Sequence, residues 1–221
     1  IEKRRLFSPA LYGSYFFVTR ALRSYVFGLV LDVGCGDMPY RQIILEKARS
    51  YDGLDIEKRS PDIRFIGDIQ NMQMISDQSY DSSVCLEVLE HVTNPFRAVE
   101  EIFRILKPGG VLVLSTPHLS RLHEEPHDYF RYTIYGLKYI LESTGFEVLK
   151  VEPEGGLFSF LGHQFATLFV LPFWGIPVLR EVVFYINQWI CVKPCSLLDN
   201  LFDRRKIFAL GYVCVARKPQ A

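Results

Sequence analysis

Two hydrophobic periodicities alternate along this chain. Short apolar runs bounded by turn residues occur at 29–34 (LVLDVG), 51–57 (YDGLDIE), 63–69 (IRFIGDI), 80–87 (YDSSVCLE) and 110–117 (GVLVLSTP). They are too short and too rich in β-branched residues for helices, so they predict strands. Helical patterns lie between them. Pro39 opens one that runs to about Ala48, because proline suits a first helical turn. Asn94-Pro95 forms a cap and first-turn pair for FRAVEEIFRIL, in which Phe96, Val99, Ile102, Phe103 and Leu106 make one apolar stripe, and KPGG stops it. Thr133 caps IYGLKYILEST, and Gly145 ends that helix as a left-handed residue. FEVLKVE (146–152) and LGYVCVARK (210–218) are the last strands. Strands alternating with helices predict an α/β fold with a doubly wound, mostly parallel, seven-stranded sheet. No internal repeat or low-complexity linker interrupts it.

Composition narrows the class without changing that picture. With 221 residues, 49% apolar and 23% charged, the chain can bury a core of its own. Lys+Arg and Asp+Glu balance at 25 each, which gives no support to a general polyanion binder. The five cysteines are scattered, with no CxxC pair. A disulfide framework or zinc ribbon is therefore unsupported, and a reducing, cytoplasmic compartment fits. Ile1 is not a Met, so an upstream piece is an open expectation. The opening residues IEKRRLFSPALYG lack the uninterrupted apolar core of a signal peptide.

Candidate chemistry begins at VLDVGCGDMPY (30–40), the end of the first strand, where ligands sit in such sheets. Gly34 and Gly36 fill the first two places of a G-x-G-x-x-G fingerprint, but the third is Pro39, which cannot give the close helix packing of a glycine. Asp32 lies outside that fingerprint. A carboxylate beside bare backbone suits a positive amine and repels a pyrophosphate. The D-x-G-x-G pattern points away from a nicotinamide dinucleotide.

VLDVGCG, YDGLDIE, FIGDIQNM, YDSSVCLEVLEHV and LKPGGVLVLSTP together resemble the class I S-adenosylmethionine-dependent methyltransferases, and within them the subgroup with an E-x-x-E-H segment after the fourth strand. The resemblance covers roughly residues 28–155 and the final strand, in a Rossmann-like fold. It implies that Asp32, Gly34, Cys35 and Gly36 line the methionine moiety. It implies that Asp55, 19 residues after Gly36, takes the ribose hydroxyls, with Ile56 beside it. Asp68 and Ile69 would meet the adenine edge, and Leu86 and Glu87 would close the pocket near the sulfonium. Read without the resemblance, Asp37, Asp52 and Asp55 are equally turn or cap residues.

Methyl transfer asks for alignment and, with a hydroxyl acceptor, a base. Four of the five histidines cluster at the carboxyl edge: His91 after the fourth strand, His118 after the fifth, and His123 and His127 in RLHEEPHDYFRYT. His91, His118 and His127 are the catalytic candidates. Glu87, Glu90 and His91 have the i, i+3, i+4 spacing of one helical face, a set that suits Mg²⁺ or Mn²⁺. Similar segments bind a divalent metal in ubiquinone-pathway O-methyltransferases and in small-RNA 2′-O-methyltransferases. In the RNA enzymes a later histidine completes the site, and His127 is the positional match. The alternative is that Glu87 caps backbone amides and His91 packs against the turn.

The stretch 157–179 holds 23 residues without Asp, Glu, Lys or Arg, nearly a membrane span in length. Pro172, Gly175 and Pro177 break it into short helices, so burial over the active site is expected. Its aromatic surface suits a lid, a dimer interface or a shallow membrane contact, with Phe169, Phe173 and Trp174 expected to meet an acceptor. LLDNLFDRRKI places Leu197, Leu198, Leu201 and Phe202 on one side, and LYGSYFFVTRALRSYVF predicts a helix covering the cofactor. The chain divides as one domain: an N-terminal helical cover (1–28), a cofactor-binding core (29–155), an apolar helical insertion or lid (156–207) and a last strand (208–221). The expected function is S-adenosylmethionine-dependent O-methylation of a small-molecule, glycan or lipid-linked acceptor by a monomer or homodimer, with peripheral membrane contact. The neutral charge balance and the lack of an Arg/Lys-rich appendage weigh against nucleic acid. The alternatives are an RNA 2′-O-methyltransferase and a non-catalytic S-adenosylmethionine-binding module.

Overall fold

Seven strands form one sheet in the order β3-β2-β1-β4-β5-β7-β6 in a computed structural model that describes residues 7–173 and 175–220. The expected Trp174 contact lies outside the described residues. In chain order the elements are α1 (Pro9–Tyr25), β1 (Gly28–Val33), α2 (Arg41–Leu45), β2 (Ala48–Asp55), β3 (Phe65–Ile66), β4 (Tyr80–Leu86), α3 (Pro95–Ile105), β5 (Leu106–Pro117), α4 (Ile134–Thr144) and β6 (Glu147–Glu154). After them come α5 (Leu157–Val170), α6 (Pro177–Asn187), a π turn (Gln188–Val192), α7 (Lys193–Phe202) and β7 (Gly211–Arg217).

β1 is central because its residues from Val30 to Val33 are all buried, as in a parallel strand covered on both faces. It pairs in parallel with β2 (Asp32 opposite Gly53) and with β4 (Asp32 opposite Val84). The chain order reverses between β1 and β4, and this is where such sheets open a crevice at their carboxyl ends. β7 runs against β5: Gly109 N–H donates to Lys218 O at one end, and His118 N–H donates to Leu210 O at the other. The sheet is mostly parallel, as the patterning predicts, and β7 is reversed.

Several boundaries move for local reasons. The helix expected from Pro39 shrinks to α2, and β2 starts at Ala48 to pair with Gly28. β3 has two residues because the chain turns at once: Asp68 Oδ1 accepts from Gln70 N–H at 2.8 Å, an Asx-type turn. α3 buries Ala98, Val99, Ile102 and Ile105, while Phe96 and Phe103 fall on the edges of that stripe, edge-on to Tyr139 and Phe146. Caps appear where the sequence places them: Asn94 accepts from Arg97 N–H, Thr133 from Gly136 N–H, and Gly145 adopts φ 102°.

The chain separates into two compact units. The sheet unit holds Thr19–Pro117, Arg121–Glu152 and the residues from Val213 on. The helical unit holds the chain up to Val18, His118–Ser120 and Pro153–Tyr212. In the helical unit, Val170, Val183 and Phe184 form a core with Phe7, Phe169 and Phe173 against it. Gly162 lets α5 meet α7, since a Cβ there would lie 2.5 Å from Cys195 Sγ. The first amides of α5 are capped from α7 and just beyond it: Asp199 accepts from Phe158 and Ser159, and Asp203 accepts from Leu157. All five cysteines are free.

Candidate active site

The glycine turn works by close approach. Gly34 has φ 71°, and a Cβ on it would sit 2.3 Å from Val88 Cγ2, so only glycine lets the turn after β1 touch the turn after β4. Gly34 and Cys35 both donate their amides to Leu54 O, which ties the turn to the end of β2. Gly36, with φ 51°, has nothing within 4 Å of its missing Cβ and faces open space. Asp55 is buried and holds both flanking turns: Oδ2 accepts from Gly36 N–H at 2.8 Å and Oδ1 from Glu57 N–H at 3.1 Å.

Asp32 is placed differently from the expectation. Its Oδ2 accepts from the Tyr51 hydroxyl at 2.6 Å, and it does not line the cleft. Burial pushes its carboxyl up to about 7; the Tyr51 hydrogen bond opposes the shift, and Asp55 adds a like-charge push. Cys35 packs with Met38, Ile63 and Tyr51, away from the cleft lining.

A cleft of about 800 Å³ lies wholly within the sheet unit. Gly34, Gly36, Asp55 and Ile56 form its floor, and Asp68, Ile69 and Gln70 form one wall. Glu87, Val88, His91, His127 and Tyr129 line it as well. Leu86 does not. The Asp68 wall is braced: Gln70 donates to Asp68, and Gln70 Oε1 accepts from Asn94 N–H and Thr93 Oγ. Behind it, Glu101 accepts from Met72 N–H while Arg104 donates to Met72 O and Ile75 O, so α3 grips the loop that follows.

The E-x-x-E-H segment is a turn here, with His91 ending one 3₁₀ turn. Glu87 takes a left-handed φ of 54°, and its Oε1 accepts from Ser115 Oγ at 2.8 Å. It opens on the cleft, yet the walls withhold enough water to push its carboxyl up, and Glu90 adds like charge. Glu90 is fully buried, and neither carboxylate oxygen has a hydrogen-bond partner among the described residues. His91 Nε2 lies 3.6 Å from Glu90 Oε1, and His123 Nε2 lies 3.8 Å from it. Among the described residues these three side chains form the group able to hold a metal ion, with ligand atoms within 4.8 Å of one another.

The structure therefore brings His123 to Glu90 and His91, whereas Glu87 turns to Ser115. His127 contributes its backbone: its carbonyl lies 2.6 Å from His91 Nδ1, which must carry the proton because a carbonyl only accepts. That leaves the His91 Nε2 lone pair facing Glu90. The His127 ring meets the Tyr129 hydroxyl through Nδ1 at 3.0 Å. Glu90, the Arg121 carbonyl and Asp128 raise the His123 pKa against burial, and Arg131 holds Asp128 well below the usual carboxylate range. The loop carrying both histidines is pinned by Tyr129 and Phe130 amides donating to Glu90 O, and by Tyr132 Oη donating to Leu89 O. His118 belongs to the helical unit, where its ring lies 5.4 Å from that of Tyr212. Glu57, Arg59, Gln70 and Thr93 also line the cleft without having been singled out. Their places follow from turns whose course no periodicity encodes.

A family model described as a methyltransferase domain matches residues 17–151. The ubiquinone biosynthesis O-methyltransferase of Alkalilimnicola ehrlichii is 28% identical over 126 residues, 51% of this chain and 49% of that protein. A Mycolicibacterium smegmatis protein named as a probable S-adenosylmethionine-dependent methyltransferase is 34% identical over 135 residues, 54% of this chain and 52% of its own. The chain spans about half the length of these curated relatives. The crystal structure of an S-adenosylmethionine-dependent methyltransferase from Archaeoglobus fulgidus shares the fold, with a TM-score of 0.58 at 18% identity over 93% of this chain and 94% of that one.

Proposed function

Because this chain belongs to the class I S-adenosylmethionine-dependent methyltransferase family, we propose that its cleft binds S-adenosylmethionine and transfers a methyl group to an oxygen acceptor. The cleft's charge carries the reading: the carboxylates of Asp55, Glu57, Asp68 and Glu124 line it against Arg59 as the one Lys or Arg side chain of the lining. Such a lining attracts a ligand with sulfonium and ammonium charges and repels a polyphosphate. When bound, S-adenosylmethionine supplies a methyl group that is already electrophilic.

The residues present fit that ligand. Each Asp55 oxygen accepts one backbone amide, and a carboxylate offers about four lone-pair sites, so two hydroxyl donors can still be received. The open space at Gly36 admits a ligand against bare backbone. A volume of about 800 Å³ falls in the range of small-molecule sites. Tyr51 takes up the Asp32 carboxylate, so Asp32 serves the floor from behind rather than by contact.

For a hydroxyl acceptor, His127 is the proposed base. In the tautomer whose Nδ1 donates to the Tyr129 oxygen, Nε2 is left to accept the acceptor's proton. Glu90, His91 and His123 are the proposed holders of a divalent cation, in place of the set Glu87, Glu90, His91 and His127. The buried carboxylate without a hydrogen-bond partner supports that assignment. Two imidazoles beside one carboxylate favour Mn²⁺ over Mg²⁺, which prefers oxygen ligands. A bound cation would lower the pKa of an acceptor hydroxyl.

The ubiquinone-pathway relative acts as an O-methyltransferase by name, which supports oxygen as the acceptor atom. The acid-rich cleft favours a small-molecule, glycan or lipid-linked hydroxyl over RNA. The test is calorimetric titration with S-adenosylmethionine, followed by transfer of labelled methyl to phenols, sugars and a short RNA. Asp55→Ala is expected to weaken cofactor binding by about 1.5–3 kcal/mol. Unchanged affinity in that variant would overturn the site assignment. Tight binding without transfer to any hydroxyl would return the chain to a binding module.

A further inference from the structure

The helical unit turns an apolar row outward. From α6 through the π turn into α7, steps of three and four residues run through Val178, Val182, Tyr185, Ile186 and Trp189, and continue at Lys193, Leu197 and Leu201. A π turn has more residues per turn than an α-helix, so steps of four across it stay on one face. Val178 is 80% exposed and Trp189 54% exposed. On α5, Leu161, Phe165 and Leu168 follow i, i+4, i+7, with Leu168 72% exposed. These helices already have a core, since Val183 and Phe184 face Val170. The outward row is a second apolar face, larger than scattered surface residues require.

Charge says what covers it. Between 178 and 208 the acids are Glu181, exposed on α6, and Asp199 and Asp203, which are occupied by backbone amides at the start of α5. The bases of the same stretch are Arg180, Lys193, Arg204, Arg205 and Lys206, five against three acids. The Lys193 ammonium lies 3.4 Å from the centre of the Trp189 ring. Arg204 and Arg205 are exposed and flanked by Phe202, which is 71% exposed, and by Ile207. Aliphatic side chains with an aromatic and basic rim are the makeup of a helix layer lying at a lipid headgroup boundary. No described helix is long and apolar enough to cross a membrane, so contact would be from one side.

We propose that the exposed face of α5, α6 and α7 docks on an anionic lipid bilayer, with the apolar row at the acyl boundary and Arg204 and Arg205 among the headgroups. Pairing this face with a second copy would bring two predominantly basic clusters together, with Glu181 as the one exposed acid on each. The proposal stands apart from the cofactor reading and needs no turnover.

The test is co-sedimentation of the full chain with phosphatidylglycerol-containing vesicles and with pure phosphatidylcholine vesicles. Binding to the anionic vesicles, weakened by salt, is expected. Arg204→Ala with Arg205→Ala should lower it roughly thirtyfold, at about fivefold per basic residue. Val182→Ser, Ile186→Ser and Trp189→Ser together should reduce it to the level of neutral vesicles at an unchanged melting temperature. If the triple variant melts early, the arginine pair decides. Equal binding to neutral and anionic vesicles, or none to either, overturns the proposal. A dimer in sedimentation velocity that the triple variant dissociates, without vesicle binding, overturns it in favour of self-association.

Discussion

A carboxylate whose partner is a phenol behaves differently from one paired with a cation. Asp32 is buried against Tyr51, and its folded-state pKa of about 7 lies well above the ordinary value near 3.9. The folded state therefore binds this proton more tightly than the unfolded state. The stability it contributes is fully present below about pH 4 and is lost as pH rises through about 7. Asp32→Asn removes the titration, so its melting temperature should fall less between those limits than that of the parent. Parallel curves for the two proteins in scanning calorimetry would show that Asp32 does not carry the dependence. The sequence places this residue correctly at the end of the first strand. It cannot reveal Tyr51, because strand neighbours 19 positions apart depend on register. His123 escaped for a related reason: two histidines share one irregular loop, and only the loop's anchoring to the Glu90 carbonyl decides which ring reaches Glu90.

At the scale of elements, caps were legible and lengths were not. Asn94-Pro95, Thr133 and Gly145 act through local chemistry and appear where they were expected. β3 and α2 are short because tertiary pairing and an Asx turn stop them, and neither leaves an apolar signature. The start of α5 at Leu157 matches the expected start of the insertion, whereas its caps left no local signal, since they lie some 40 residues downstream. Asp199 is buried and accepts two backbone amides, so Asp199→Ala should cost about 1–2 kcal/mol, the scale of a lost helix cap. Asp199→Asn, which keeps one acceptor oxygen, should cost less. A urea midpoint that does not move in the alanine variant would show that water replaces the cap.

For the molecule as a whole, the two units make a thermal prediction. The cleft is lined entirely by the sheet unit, so S-adenosylmethionine should stabilise that unit alone. At about 100 times its dissociation constant a ligand adds roughly 2.7 kcal/mol. In a chain of this size that raises the melting temperature by about 5–10 °C. If calorimetry resolves two transitions, one should shift and the other stay. A shift of both by the same amount would mean that the units melt as one. The family was legible from five motifs in order, whereas the acceptor was not, because the acid-rich lining is assembled from turns on separate strands.

Glu90 has two duties at opposite ends of one residue. Its side chain faces His91 and His123, and its carbonyl receives the amides of Tyr129 and Phe130, which lie in the loop that carries His123. Whatever steadies the carboxylate also steadies the strap that closes on it. Those two amides are a built-in gauge, because their exchange with deuterated solvent proceeds only when the strap lifts. Protection that deepens when Mn²⁺ is added would register occupancy of the histidine pair without any methyl group being moved.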